Sequence, residues 1–247
     1  ATFNAACNMA AAKAAYPVSK TLVLSFLAGA YIAIGGMLLT VVGGGSPALA
    51  AANPGLQKFL LGAVGLPAAL SMTVLTGCEL FTGNTFVMTA GLLNDKIQKA
   101  DLVKNWALSY FGNFVGAVFM AGLGFFAKTT AVGPSATAAV AVATMKCNLP
   151  FMTCFAKGVL CNWLVCIAVW LAMTSNDAMG KYMGMFLPVS TFVAMGLEHS
   201  VANMFIIPQG IFAGAQVTWG QFLMNNLLPV TLGNVVGGAV FVAGLYH

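Results

Sequence analysis

The stretch GCELFTGNTF (Gly77–Phe86) recurs 119 residues later as GLEHSVANMF (Gly196–Phe205), and both copies fit the pattern G-x-E-x-x-x-x-N-x-F. A second repeated segment follows each copy: GNFVGAVFMAGL begins at Gly112 and GNVVGGAVFVAGL begins at Gly233. Repetition of this kind indicates that the chain consists of two related halves. Each half also places a single carboxylate inside an apolar stretch that carries no other charge. The fold and the function should therefore be sought at these two copies.

The composition is that of an integral membrane protein. Hydrophobic residues make up 60% of the chain and charged residues only 6%, and the mean hydropathy is +0.92, whereas a soluble domain carries roughly a quarter charged residues. The positive charge comes from lysines alone, which are too sparse to indicate nucleic-acid binding. Six cysteines without a C-x-x-C spacing predict buried apolar residues rather than a metal site or a disulfide framework. No metal and no cofactor is expected.

Six membrane spans are predicted, because a transmembrane helix needs about 20 apolar residues. Two of them, spans 2 and 5, lie in long stretches whose only charge is Glu79 or Glu198. We predict that these two helices are broken in mid-membrane, at Gly77–Asn84 and at Gly196–Asn203. The other four spans are expected to be uninterrupted and fit Thr21–Gly43, Asn105–Ala127, Phe151–Thr174 and Phe222–Leu245.

Three spans in each half is an odd number, so the second half enters the membrane from the opposite side. The chain is therefore predicted to be a single transmembrane channel domain, 1–247, made of two inverted repeats, about 1–128 and 129–247. Backbone groups freed at a break are tolerated at that depth only where they line a cavity or are buried in protein, which favours a pore or carrier over an enzyme. The stretch Thr129–Met145 is predicted to be an outside loop.

The distribution of lysines predicts the orientation of the spans. Cytoplasmic segments carry an excess of positive residues, and six lysines against three favour a placement with both termini in the cytoplasm. We therefore expect a multi-pass protein of the cell inner membrane. The lysines predicted inside are Lys13, Lys20, Lys96, Lys99, Lys104 and Lys181, and those predicted outside are Lys58, Lys128 and Lys146.

The second break carries His199, one of only two histidines in the chain. Imidazole is the side chain whose unperturbed pKa lies near neutrality, so we predict a functional role for His199 at this membrane depth. Thr82 lies in the first break and has two alternative roles. It either faces His199 and donates its hydroxyl to a small solute, or it bonds to the backbone of its own helix.

The two glutamates are predicted to be scaffold residues. Glu79 and Glu198 can each accept hydrogen bonds from backbone N–H groups freed at their breaks, with Asn84 and Asn203 as neutral caps of the same loops. The alternative is that the glutamates carry protons directly. Lys146, near the outer end of span 4, has two alternatives as well: a positive potential that concentrates anions, or snorkelling to the interface.

Three segments resemble the formate/nitrite transporter family: ELFTGN at Glu79–Asn84, KGVLCNW at Lys157–Trp163 and GLEHSVANMFIIPQGI at Gly196–Ile211. The resemblance spans essentially the whole chain. It implies an aquaporin-like fold of six helices and a homopentamer in which each protomer has its own pore. It further implies a channel or proton-coupled transporter for small monovalent anions such as formate, nitrite or hydrosulfide. The first-break sequence departs from the ADLFTS-like segment of formate channels and is more similar to the hydrosulfide-channel and nitrite-type branches. Of these two, we favour the hydrosulfide branch.

The resemblance also implies a transport pathway. The family's central histidine and loop threonine correspond to His199 and Thr82, and its vestibule lysine and asparagine correspond to Lys146 and Asn162. The residues matched to its hydrophobic constrictions are Leu70, Phe81 and Phe192. An aquaporin-type channel for small neutral solutes is the alternative function, but the chain has neither an NPA motif nor an arginine. An intramembrane protease is disfavoured because the chain contains no G-x-S-x-G or H-E-x-x-H motif.

Overall fold

The computed structural model describes residues 1–247, and its secondary structure is entirely helical. The final helix is continuous from Trp219 to Gly244 and widens into π-helical turns at Phe222–Leu227 and Ala239–Gly244. In chain order the helices are α1 (Thr2–Ala14), α2 (Val18–Gly44), α3 (Pro47–Ala52), α4 (Pro54–Ala63), α5 (Leu66–Leu75), α6 (Phe81–Leu93), α7 (Lys99–Phe126), α8 (Gly133–Cys147), α9 (Phe151–Met173), α10 (Ala178–Ala194), α11 (Ser200–Phe212) and α12 (Trp219–Gly244).

The outer surface of the helical bundle is suited to lipid. Large apolar side chains point outward, among them Phe126, Met152 and Leu187, which are 82%, 67% and 67% exposed. Five helical segments are long and apolar enough to cross a bilayer: α2, α4 together with α5, α7, α9 and α12. Four of them, α2, α7, α9 and α12, cover all or most of the four predicted uninterrupted spans. The count of six crossings stays a prediction.

The bundle is held together by close backbone contact between helices. A Cβ placed on Gly29 of α2 would lie 2.2 Å from the carbonyl oxygen of Asn113 in α7, and one on Gly233 of α12 would lie 2.2 Å from the carbonyl oxygen of Phe155 in α9. Helices in a membrane gain little from hydrophobic burial against one another, so small residues that allow such approach favour their association.

The expectation of a loop at Thr129–Met145 is wrong, because residues 133–147 form α8. The stretch has too few large side chains to face lipid, but alanine is the best helix former. Ala139 and Ala143 are buried, and a Cβ on Gly210 of α11 would lie 2.4 Å from that of Ala143. Small residues therefore stabilise this short helix by packing it closely against α11.

Both members of the repeated pattern interrupt a helix. The glycine at each break has a positive φ, 71° at Gly77 and 64° at Gly196, a conformation that glycine adopts without steric cost. The residue after each glycine donates its N–H to the carbonyl five residues earlier, at 2.9 and 3.0 Å, which completes a Schellman motif. The chain then runs on for a few residues before α6 begins at Phe81 and α11 at Ser200. The first broken segment is also divided at Gly65, which separates α4 from α5.

Candidate functional site

The first break is built around the buried carboxylate of Glu79. Its Oε1 atom lies 2.5 Å from Nζ of Lys13, which α1 supplies. Its Oε2 atom accepts hydrogen bonds from the side-chain amides of Asn84 in α6, at 2.8 Å, and Asn105 in α7, at 2.9 Å. We call these four residues the Glu79 cluster. It balances a buried negative charge and occupies both carboxylate oxygens.

The second break repeats this arrangement around Glu198, and we call it the Glu198 cluster. Lys146 of α8 lies 2.7 Å from Oε1 of Glu198. Asn203 of α11 and Asn226 of α12 donate to Oε2 at 2.6 and 3.2 Å. A buried carboxylate is costly unless it is paired and hydrogen-bonded, and both breaks satisfy that requirement with the same residue types.

The donors to the two glutamates differ from the prediction. Lysine and asparagine side chains occupy the carboxylates, and backbone N–H groups of the breaks bond elsewhere. The N–H of Phe81 donates to Oδ1 of Asn113 at 2.9 Å, and the N–H of Ser200 donates to Oδ1 of Asn234 at 2.8 Å. The physical reason is that a charged carboxylate in apolar surroundings needs a countercharge, whereas a neutral amide suffices for an N–H group.

Asn113 and Asn234 also secure the other side of each break. The Nδ2 atom of Asn113 donates to the carbonyl oxygens of Glu79 and Ser25, at 2.9 and 2.7 Å. The Nδ2 atom of Asn234 donates to the carbonyl oxygens of Glu198 and Gly158, at 3.0 and 2.8 Å. Each asparagine therefore holds the loop before a half-helix and the first N–H of that half-helix at once.

Six residues make supporting contacts that were not predicted, two lysines and four asparagines, although the sequence contains a signal for them. Lys13 was assigned only to topology, yet Lys13 and Lys146 both stand in an A-x-x-K-x-x-x-P pattern. The four supporting asparagines of α7 and α12 show the same spacing in each half. The members of each pair are eight positions apart: Asn105 and Asn113, and Asn226 and Asn234.

The two breaks meet at a single pair of side chains. Oγ1 of Thr82, in the first turn of α6, lies 2.9 Å from Nε2 of His199, the N-cap residue of α11. Both side chains are buried. The ring of Phe192 is nearly parallel to the imidazole, with centroids 5.9 Å apart. Of the two alternatives for Thr82, the structure has the one in which it faces His199.

The other ring nitrogen of His199 identifies the tautomer. Nδ1 of His199 accepts a hydrogen bond from the N–H of Ala202 at 3.0 Å, so Nδ1 carries no proton in this arrangement. The imidazole is then neutral with its proton on Nε2, and Nε2–H donates to Oγ1 of Thr82. The Thr82 hydroxyl keeps its own proton free to donate to a further acceptor.

Three cavities lie near this pair, and two of them are lined by His199, while Thr82 lines none of the three. The first, the Lys13 cavity, has a volume of about 250 Å³, and its lining includes Lys13, Tyr16, Leu70, Leu80, Val169 and Lys181. The central cavity measures only about 10 Å³ and is lined by Ile32, Leu66, Leu70, Val165, Val189, Phe192 and His199. The third, the Lys146 cavity, measures about 140 Å³, and its lining includes Lys58, Lys146, Phe192, His199 and Asn203.

The three cavities lie in a row, which we call the cavity file, because neighbouring cavities share lining residues. Leu70 lines both the Lys13 cavity and the central cavity, while Phe192 and His199 line both the central cavity and the Lys146 cavity. The central cavity has room for no more than about one water molecule. Two wider cavities are thus joined by a narrow apolar segment whose one titratable wall residue is His199. Whether Leu70 and Phe192 restrict transport stays a prediction.

Phe81 does not belong to this file, which corrects its predicted place among the constrictions. Its ring packs edge-on against Tyr110 and Trp106, with centroids 4.9 and 6.2 Å apart, and it lines a separate open groove. Leu80 lines the Lys13 cavity instead. Leu80 has an extended backbone, and successive side chains on extended backbone point in opposite directions.

Asn162 differs from its predicted place in the vestibule, and Lys146 differs only in its charge. Asn162 is fully buried, and its Nδ2 atom donates to the carbonyl of Thr82 at 3.1 Å, to Oγ1 of Thr85 at 2.9 Å and to the carbonyl of Asn234 at 2.6 Å. It therefore joins α6 to α12 and does not line the Lys146 cavity. Lys146 does line that cavity, but Glu198 balances its charge.

The fold agrees with comparisons to known proteins. The sequence profile of the formate/nitrite transporter family matches residues 1–247. A probable formate transporter from Methanothermobacter thermautotrophicus is 48% identical over 99% of this chain and 94% of its own length. Two solved structures are similar. An FNT family ion channel has a TM-score of 0.90 and 32% identity, with coverage of 99% of this chain and 97% of its own. A pentameric formate channel with formate bound has a TM-score of 0.81 and 33% identity, with coverage of 93% of this chain and 96% of its own.

Proposed function

Since the chain belongs to the formate/nitrite transporter family, whose members are channels and transporters rather than enzymes, we propose that it passes small monovalent anions such as formate and nitrite across the cell inner membrane. The observation that carries the proposal is the file of three cavities, which narrows at His199, the hydrogen-bond partner of Thr82. Hydrosulfide is a further substrate of the same size and charge class.

The proposed architecture has six membrane crossings arranged as two inverted repeats, with both termini in the cytoplasm. The equivalent Glu79 and Glu198 clusters support the repeat, because the same residue types perform the same contacts at both breaks. The Lys13 cavity then opens to the cytoplasm and the Lys146 cavity to the outside. The pentameric formate channel that resembles this chain supports a homopentamer.

In the proposed mechanism an anion enters from an end cavity and must lose its water at the central cavity. A bare anion is unfavourable between apolar walls such as Leu70 and Phe192 unless polar groups replace its hydration. The hydroxyl of Thr82 supplies one donor. The N-termini of α6 and α11, which begin at Phe81 and Ser200 beside this point, supply favourable partial positive charge.

The tautomer of His199 favours a neutral hydrogen-bonding role over that of a resident cation. Protonation of Nδ1 would break its hydrogen bond from Ala202 and remove the cap of α11. The neutral ring instead polarises the Thr82 hydroxyl through Nε2–H. In the entry cavity the transported anion takes a proton from hydronium, which leaves water behind. It crosses the narrow segment as the neutral acid and returns the proton to water of the cavity at the other end.

Flux measurements in proteoliposomes test the proposal. Formate, nitrite and hydrosulfide should each equilibrate faster than in protein-free liposomes, and the rate should rise as pH falls, because acidification increases the neutral acid. Glycerol should not pass. Rapid glycerol flux without any anion flux would contradict the proposal and restore the aquaporin-type alternative, and flux of only one of the three anions would identify the preferred substrate.

A further inference from the structure

The two end cavities each contain one lysine with a carboxylate partner and one lysine without. Lys13 and Lys146 are bound to the carboxylates of their clusters. Lys181 also lines the Lys13 cavity and Lys58 also lines the Lys146 cavity, and neither forms a salt bridge in this structure. The family resemblance and the site described above assign no role to these two lysines.

The paired and unpaired lysines differ in the field that they produce. A lysine ammonium within 3 Å of a carboxylate forms a dipole whose potential falls off quickly, whereas an unpaired ammonium acts as a full charge over roughly a Debye length, about 10 Å at 0.1 M salt. After the Glu79 and Glu198 clusters are counted as neutral, each cavity keeps one net positive charge. Lys181 provides it in one cavity and Lys58 in the other.

The surroundings of the two unpaired lysines suit them to attract ions without holding them. Lys58 is exposed on α4 and Lys181 is partly exposed near the start of α10, so both ammonium groups stay hydrated. The walls beyond them are largely apolar, with Leu70, Leu80 and Val169 in one cavity. Cavities with walls of low dielectric constant focus the field of a charge at the rim and raise the local concentration of the opposite ion.

We propose that Lys58 and Lys181 are the anion-recruiting residues of this protein, one at each end of the cavity file, and that Lys13 and Lys146 serve their clusters instead. This inference rests on the proposed function. Recruitment by an unpaired charge predicts two properties that a purely structural lysine would not show. The effect depends on charge and not on side-chain shape, and it disappears when salt screens the field.

The test compares initial formate flux into proteoliposomes for the parent protein, Lys58→Gln, Lys181→Gln and the double variant. Matched controls are Lys128→Gln and Lys99→Gln, which remove the same charge from exposed lysines that line neither cavity. Flux is measured at ionic strengths of about 10 mM and about 1 M, where the Debye lengths are about 30 and 3 Å. Lys58→Arg and Lys181→Arg keep the charge and serve as rescue variants.

At low ionic strength each glutamine variant should lower flux about threefold and the double variant more strongly, while the arginine variants and the controls match the parent. At high ionic strength all should converge. Equal flux in parent and glutamine variants at low ionic strength would overturn the proposal, as would a loss that persists at high ionic strength or that the controls share. Absence of anion flux in the parent itself would instead contradict the proposed function.

Discussion

The two helix breaks have the same supports but different side chains at the cavities. Both use a glycine of positive φ and a buried glutamate, supported by a lysine and three asparagines. Where the second break places His199, the first has Leu80, and where the first places Thr82, the second has Val201. The shared residues hold the half-helices in position. The polar residues that differ form a hydrogen-bonded pair, and His199 of that pair lines the narrow segment.

This difference separates two structural requirements: support of each break, and contact between the two half-helices. Each break frees backbone groups and buries a carboxylate, so each needs its own complete set of partners. The two half-helices meet at one point, however, and a single hydrogen bond between Thr82 and His199 spans it. A second histidine in place of Leu80 would open into the Lys13 cavity and not toward the central cavity, because Leu80 lines only the former of the two.

The largest expected effect comes from breaking the ion pairs, and the comparison predicts the same loss at both breaks. Lys13→Met and Lys146→Met each leave a buried carboxylate without a countercharge. Removal of one partner from a buried ion pair costs about 3–5 kcal/mol of stability. Thermal unfolding of the purified protein in detergent measures the loss.

The double variants provide the control for this first prediction. Lys146→Met combined with Glu198→Leu removes both charges and should recover part of the stability lost in Lys146→Met alone, and the corresponding pair at the first break should behave alike. A large loss at one break with none at the other would show that the two clusters are not equivalent.

A smaller effect is expected from the asparagines that secure the breaks. Asn113→Leu and Asn234→Leu each remove three hydrogen bonds to buried backbone groups, and the groups left unpaired cost about 3 kcal/mol in total. Asn148→Leu, at an exposed position after α8, is the matched control and should change stability by less than about 0.5 kcal/mol. A loss in Asn234→Leu without one in Asn113→Leu would contradict the equivalence.

The breaks themselves could be predicted from the sequence, since the repeated pattern contains the glycine that ends each helix and the glutamate that follows. The partners of the glutamates could not be predicted with the same ease. Lys13 and Glu79 are 66 residues apart, and local sequence does not indicate which distant lysine reaches a given carboxylate. The internal repeat is the exception, because the spacing shared by Lys13 and Lys146 marks both.

Neighbouring residues in the breaks could not be assigned to a cavity from sequence either. Phe81 and Leu80 are adjacent and both apolar, and only the extended backbone at Leu80 determines that Leu80 faces the Lys13 cavity. The short helix α8 was missed for a related reason. Its alanines gain their stability from contact with α11, which composition alone does not reveal.

The next prediction tests the difference between the two breaks. His199→Asn should lower formate flux at least about tenfold, because a polar contact in the narrow segment is lost. Asparagine is among the best N-cap residues, so it can accept the hydrogen bond from Ala202 and keep α11 intact. Leu80→Ala, the equivalent position in the first break, should change flux by less than about threefold, since no polar contact is removed.

Stability and the pH profile distinguish a transport role for His199 from a structural one. His199→Asn should unfold at nearly the parent temperature, whereas His199→Phe also loses the cap and should be less stable. If His199→Asn matches the parent in flux, anion selectivity and pH profile, the imidazole serves only as the cap of α11, and the proposed relay through Thr82 is wrong.

The smallest effect is expected at Thr82. Thr82→Val keeps the shape of the side chain but removes the oxygen that accepts from Nε2 of His199 and the proton that the hydroxyl offers to the anion. Flux should fall about threefold, less than in His199→Asn, because the half-helix N-termini still face the narrow segment. Thr82→Ser restores the hydroxyl and should recover the rate. Thr89→Val is the control on the same helix, since the Thr89 hydroxyl donates to the carbonyl of Thr85 and not to His199. An equal fall in both valine variants would mean that the loss comes from a helix hydroxyl in general, and the first break would then contribute support but no chemistry.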